Sequence, residues 1–262
     1  MRPENYRMEW IAVRHLSVVW AQSQRPYDVK WARAIAENFD DEKFDPLVVT
    51  LPNGKGDYHV VEGQHRKSAV EMKWGPYEKV PCRVIPQADP ARAAELWLGI
   101  NDGRKRARPV VHFKVAVVAK REPELSINRL VNRLGYVVAQ HKSPSTITAV
   151  AALKSIWDRY GELVLSKTLL MVKHLWPKDA QGPDGSILRG FALFLNEFGL
   201  RTDPKRMTIA VGRKYTPGQF IVAANARKEA TKDRLDEVMS DMLLRDYNKG
   251  LAEDKKLHRK KD

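Results

Sequence analysis

A chain of 262 residues allows one or two domains and is long enough to bury a full core. Its 43% hydrophobic and 30% charged content is that of a soluble globular protein, and its single cysteine, Cys82, excludes internal disulfides and cysteine-cluster zinc sites. No apolar run approaches the roughly 20 residues that span a bilayer, and the opening MRPENYRMEW lacks the apolar core of a signal peptide, so a cytoplasmic location is expected. The formal net charge is +14, and all of it arises after residue 100: residues 1–100 hold 14 Lys+Arg against 14 Asp+Glu, residues 101–262 hold 32 against 18. A polyanion docking on the second part gains from neutralisation and counterion release, which points to nucleic acid. Charge that serves solubility alone predicts no such segregation.

In chain order, Trp10–Trp20 reads as a first strand, with Ile11, Val13, Leu16, Val18 and Val19 apolar around Arg14, His15 and Ser17. Asp28 suits the N-cap of a helix whose apolar face is Trp31, Ala32, Ile35 and Phe39. Phe44–Leu51 and Tyr58–Val61 read as strands joined by the turn-rich PNGKGD connector, with a further strand at Val80–Ile85 and a helix at Pro90–Gly99. Cys82 falls within that last strand, where burial explains it. The order is that of a compact α+β unit.

The stretch Tyr58–Met72, YHVVEGQHRKSAVEM, runs from a strand through Gly63 into a helix. Such a turn leaves the leading amides of the helix outside its hydrogen-bond ladder, a ready anion site. Gln64, His65, Arg66 and Lys67 add donors and a cationic fork suited to phosphates. A strand–helix corner carrying solvated polar residues is the other reading, and the turn alone does not choose between them.

Taken together, Gln24-Arg25, a helix, Pro46-Leu47-Val48-Val49 and then Val61–Ala69 resemble the N-terminal domain of ParB-like proteins, where a Gln-Pro-Arg loop, a strand and a Gly-Glu-Arg-Arg phosphate turn follow in this order. The family's third box, Glu-Asn-Ile-Gln-Arg with a proline five residues on, aligns without gaps on Ile100–Arg104 and Pro109. The resemblance covers roughly 130 residues. It implies a ParB/sulfiredoxin-like mixed sheet with helices, and binding of CTP or another nucleoside triphosphate with Mg2+ through Gln24, Arg25, Gly63, Gln64, His65, Arg66, Lys67, Asn101 and Arg104. Two acidic positions of the family are lost, to Gln64 and Ile100, which argues against metal-assisted hydrolysis beyond a weak CTPase. Glu62 and Asn101 are the candidate catalytic groups, with Asp102 as a second replacement carboxylate. Gly-Gln-His-Arg is also similar to the phosphate turn of sulfiredoxin, whose reactive cysteine falls at Gln64; a glutamine is no nucleophile, so sulfinic-acid reduction is excluded.

From Arg104 the chain turns basic and helical, with 12 Lys+Arg against 4 Asp+Glu in residues 101–160. A helix over Val110–Lys120 is followed by one capped by Ser126, with Ile127, Leu130, Val131 and Leu134 at helical spacing and Gly135 at its end. A second is expected to start at Ser143-Pro144, with Ile147, Val150, Leu153 and Trp157 on its buried face. The pair resembles the helix-turn-helix that follows the nucleotide domain in ParB-like proteins, although the connector Tyr136–Lys142 exceeds the usual three or four residues. An ordinary helical hairpin is the alternative. On the DNA reading, Arg106, Arg108, Arg129, Arg133 and Lys142 contact phosphates, and Ser143, Ser145, Thr146 and Thr148 lie near the start of the recognition helix.

Beyond Gly161, helices are expected at Leu163–Trp176, at Ile187–Phe198 capped by Ser186, after Pro204 and Pro217, and over Lys228–Tyr247. The stripe Leu235, Val238, Met239, Met242 and Leu243 on the last is either core or a homodimer seam. The expected domains are 1–108, nucleotide-binding; 109–160, helix-turn-helix; 161–250, helical; and 251–262, a disordered basic tail. The fold class is α+β followed by an all-α part. The sequence contains no Gly-x4-Gly-Lys-Ser/Thr loop, no His-Glu-x-x-His pair and no solenoid repeat. The function expected is a nucleotide-responsive, DNA-associated protein binding duplex DNA as a homodimer in plasmid or phage partition or regulation. The alternative is a metal-dependent nuclease or a nucleotide-dependent kinase of the same fold, with Glu62 as general base or metal ligand.

Overall fold

The computed structural model describes residues 7–18, 26–51, 57–86, 88–101 and 108–259. The chain divides into two compact units, Met1–Glu122 and Pro123–Asp262. The division does not follow residue 108 or 160. Helix α4 (Pro109–Val118) buries Val111, Val115 and Ala116 in one cluster with Ala94, Trp97 and Leu98 of α3 (Pro90–Asn101), and α6 (Val150–Leu175) runs through residue 160.

The first unit is built on a mixed five-stranded sheet in the order β1-β5-β3-β4-β2. Strands β1 (Arg7–Ala12) and β5 (Lys79–Ile85) are antiparallel, β5 and β3 (Leu47–Thr50) parallel, β3 and β4 (Tyr58–Glu62) antiparallel, and β4 and β2 (Leu16–Ser17) parallel. The single strand expected over Trp10–Trp20 is thus two strands on opposite edges, joined by the 3-10 turn Val13–His15, with residues 19 and 20 outside the described set. Four strand gaps in a flat sheet measure roughly 19 Å, whereas the four Cα steps from Ala12 to Leu16 reach roughly 14 Å. The sheet is therefore curled until its edges approach. Both faces are covered. Leu47, Val49, Val60 and Cys82 join Val70 of α2 (Gln64–Trp74) on one side, and Val48, Val61 and Ile85 meet α3 and α4 on the other. Asp28 caps α1 (Val29–Glu37) as expected, its carboxylate accepting from the amides of Lys30 and Trp31.

Cys82 is fully buried, and burial pushes its thiol up to about 12. No thiol is expected to react with a disulfide reagent at pH 8 in the native protein and one in denaturant; prompt native reaction would contradict the burial.

In the second unit the central helix is α7 (Gly185–Phe198), which buries Ile187, Leu188, Phe191, Phe194, Leu195 and Phe198 and, ahead of the short α8 (Pro204–Met207), packs against α6, α9 (Pro217–Thr231) and α10 (Leu235–Asn248). Ile187 to Phe198 are helical as expected, but the cap is Asp184, which accepts from the Ser186 amide. The helix expected from Leu163 is the continuation of α6 beyond a kink at Gly161 (φ 76°). Lys228–Tyr247 is broken between α9 and α10, where Lys232 takes a positive φ of 64°. The stripe on α10 is core here: Val238, Met239, Met242 and Leu243 are buried. Residues 251–259 are not a disordered tail. Leu257 is buried and bracketed by the Asn248 side chain, which donates to its carbonyl and accepts from its amide at 2.8 Å each, and Arg259 is ion-paired with Asp241 and Glu197. One apolar residue in the basic run supplies the anchor.

Candidate functional site

Strand β4 ends at Glu62, and Gly63, with φ 105° and ψ 18°, turns the chain into the 11-residue helix α2. Glycine is required here twice. The left-handed φ disfavours any side chain, and a Cβ at position 63 would stand 2.4 Å from Leu47 Cδ2 in the core. Having no side chain, Gly63 offers no cap to the leading amides of α2.

The polar residues that follow are less solvated than a plain corner would leave them. Gln64 and His65 are buried, each 6% exposed. The His65 ring stacks on Tyr27 at 5.5 Å and lies 4.4 Å from Trp31, and its Nε2 accepts the Asp28 amide at 3.0 Å. That bond requires the neutral Nδ1–H tautomer and ties the start of α1 to the first turn of α2. Arg66 donates to the Glu62 carboxylate and to the Asp45 carbonyl, and its guanidinium lies 5.9 Å over Phe44. Lys67 pairs with Glu71 at 2.7 Å. Asn101, buried in the last turn of α3, donates to the Trp97 carbonyl at 2.8 Å.

The structure therefore gathers Glu62 to Lys67 on one turn, and sets Tyr27, Trp31, Phe44 and Asp45 around it, four residues that sequence reasoning missed. Their signal was absent because the contacts join segments 21 to 38 positions apart in the chain. Gln24, Arg25, Asp102, Arg104 and Arg106 lie outside the described residues. Among the described residues no group of three or more His, Cys, Asp or Glu could hold a metal ion. Glu62 is the one carboxylate between positions 62 and 67.

The basic segment is arranged differently from a helix-turn-helix. Helix α5 (Glu124–Arg133) is followed by β6 (Val137–Val138), a loop, and β7 (Thr146–Ile147) parallel to β6, and α6 starts only at Val150. The second part is thus not all-α. Ser143, Ser145, Thr146 and Thr148 precede α6 and do not lie on a recognition helix. The cap expected of Ser143 is replaced by a turn centred on Thr146, whose hydroxyl accepts the Ser143 amide at 2.7 Å and donates to the His141 carbonyl at 2.8 Å. Thr146 is buried, 8% exposed. Lys142 and Ser145 are exposed in the loop, and Thr148 is half-buried. Arg129 and Arg133 are exposed one turn apart on α5, Arg133 reaching Glu162 at 2.8 Å. Lys173 of α6 closes the C-terminal end of α5 by donating to the Leu134 carbonyl at 2.8 Å. Arg108, exposed at the start of α4, belongs to the first unit.

No protein-family model and no curated protein matches the chain. Among solved structures it is similar to the C-terminally truncated chromosome-partitioning protein ParB from Caulobacter crescentus complexed with CTP-gamma-S, at 15% identity and a TM-score of 0.31 over 79% of this chain and 94% of that one. It is also similar to the same truncated protein complexed to the centromeric parS site, at 12% identity and a TM-score of 0.34 over 90% of this chain and 98% of that one. At this level of likeness no residue here takes a role from either.

Proposed function

We propose that the chain is a nucleotide-responsive DNA-binding protein of the ParB type that its motifs resemble. A triphosphate, CTP by that resemblance, binds at the Gly63 turn with Mg2+, and duplex DNA binds the basic second part. The observation that carries the reading is the turn itself, a strand that ends in a left-handed glycine pressed on Leu47 and opens a helix whose N-cap has no side chain, with Arg66 and Lys67 in its first turns. The excess of 32 Lys+Arg over 18 Asp+Glu in residues 101–262 supports the polyanion partner. Arg129, Arg133 and Lys142 are its phosphate contacts, and Ser145 is the exposed hydroxyl in the same loop as Lys142.

Nucleotide biases DNA binding only where its affinity differs between the DNA-bound and DNA-free states, and by linkage DNA then shifts nucleotide affinity equally. A homodimer acting in plasmid or phage partition or regulation extends the same reading. The enzyme alternative needs Glu62 as base or metal ligand, and that carboxylate is committed to Arg66. Titration of the wild-type protein with triphosphates, with and without duplex DNA, tests the proposal.

A further inference from the structure

The Gly63 turn holds its own arginine in check. Arg66 sits four residues after Glu62, across the glycine, and the two side chains are 17% and 16% exposed. One guanidinium nitrogen donates to the Glu62 carboxylate and the other to the Asp45 carbonyl, ahead of β3. Nη2 also lies 3.2 Å from the point where a Cβ of Gly63 would stand. The fork therefore lies back along the turn, against the strand end and the approach to β3, with Phe44 beside it.

We infer that Glu62 is a resident counter-ion which a ligand's phosphate must displace from Arg66, so that this carboxylate sets the turn's affinity for triphosphate. The inference rests on the nucleotide reading above. Its physical basis is that a largely shielded guanidinium satisfied by a carboxylate exchanges one anion for another. A phosphate arriving without that exchange meets the carboxylate's like charge at close range. Either route makes Glu62 a cost to anion binding. A Glu62 that instead ligated Mg2+ on the phosphate would be a gain, so the two roles predict opposite signs.

The experiment compares wild type, Glu62→Gln and Glu62→Ala by calorimetric titration with inorganic tripolyphosphate and with CTP, in Mg2+ and in EDTA. Circular dichroism checks that each variant folds. Both variants are expected to bind tripolyphosphate and CTP about tenfold more tightly than wild type in both buffers, as loss of one close like charge predicts. Unchanged or weaker binding by folded Glu62→Gln overturns the inference, and weakening confined to Mg2+ assigns Glu62 to the metal instead. If wild type and both variants all fail to bind either anion, the nucleotide reading fails, and the inference with it.

Discussion

Replacing Gly63 by alanine is expected to destabilise the first unit by about 2–5 kcal/mol and to abolish triphosphate binding. Roughly 1–2 kcal/mol comes from placing a side chain at a left-handed φ, here 105°. The remainder, about 1–3 kcal/mol, comes from overpacking, because the new methyl would stand 2.4 Å from Leu47 Cδ2. Leu47 is fully buried in the cluster that α2 covers, so its methyl turns aside only by disturbing packed neighbours. The strained φ and the crowding together displace the leading turn of α2, and with it the amides expected to face a phosphate. Urea unfolding of Gly63→Ala, Leu47→Ala and the double variant measures this. The double variant should be more stable than the sum of the two losses predicts, since truncating Leu47 removes the clash. A Gly63→Ala protein within about 0.5 kcal/mol of wild type would contradict the geometry, as ordinary surface changes fall in that range.

The second large effect concerns DNA. Binding of a duplex by the wild-type protein is expected to weaken steeply as salt rises, and the variant with Arg129, Arg133 and Lys142 all changed to alanine should lower the slope of log K against log salt by about 2–3. Each cation lost removes close to one released counterion. Arg133 already spends part of its charge on Glu162, so its share is the smallest of the three. Thr146→Val should act otherwise: the buried hydroxyl orders the His141–Ser145 loop without reaching the surface, so affinity falls while the slope stays near wild type. Fluorescence anisotropy at three or four salt concentrations separates these outcomes. A triple variant with the wild-type slope would move the DNA surface elsewhere in the second unit.

What the sequence conveyed was local. The Asp28 cap, the Gly63 turn, and helices opening at Pro204 and Pro217 each depend on residues within a few positions, and each is where the pattern places it. What it withheld was decided across the chain. Val13–His15 continues an apolar pattern, yet its backbone is claimed by the carbonyls of Glu78 and Pro76, which split one strand into two. Ser143-Pro144 carries a helix-start signal, but Thr146 satisfies the Ser143 amide and the helix waits until Val150. At the candidate site, position 66 was legible as a cation beside a glycine turn. That it is seated on Glu62, Asp45 and Phe44 was not, because two of those three partners lie on the approach to β3. His65 read as a ligand-side donor, but it stacks on Tyr27 and its Nε2 accepts the Asp28 amide within the fold.

The central claim is that one protein couples a triphosphate at the Gly63 turn to DNA on its basic part. Calorimetric titration of the wild-type protein with each of the four nucleoside triphosphates in Mg2+, with and without duplex DNA, tests it most directly. The account predicts selective binding of CTP with an affinity that changes when DNA is present, matched by an equal change in DNA affinity when CTP is present. Salt-dependent DNA binding with no binding of any triphosphate would contradict it, leaving the Gly63 turn as a structural corner and the function to the basic part alone.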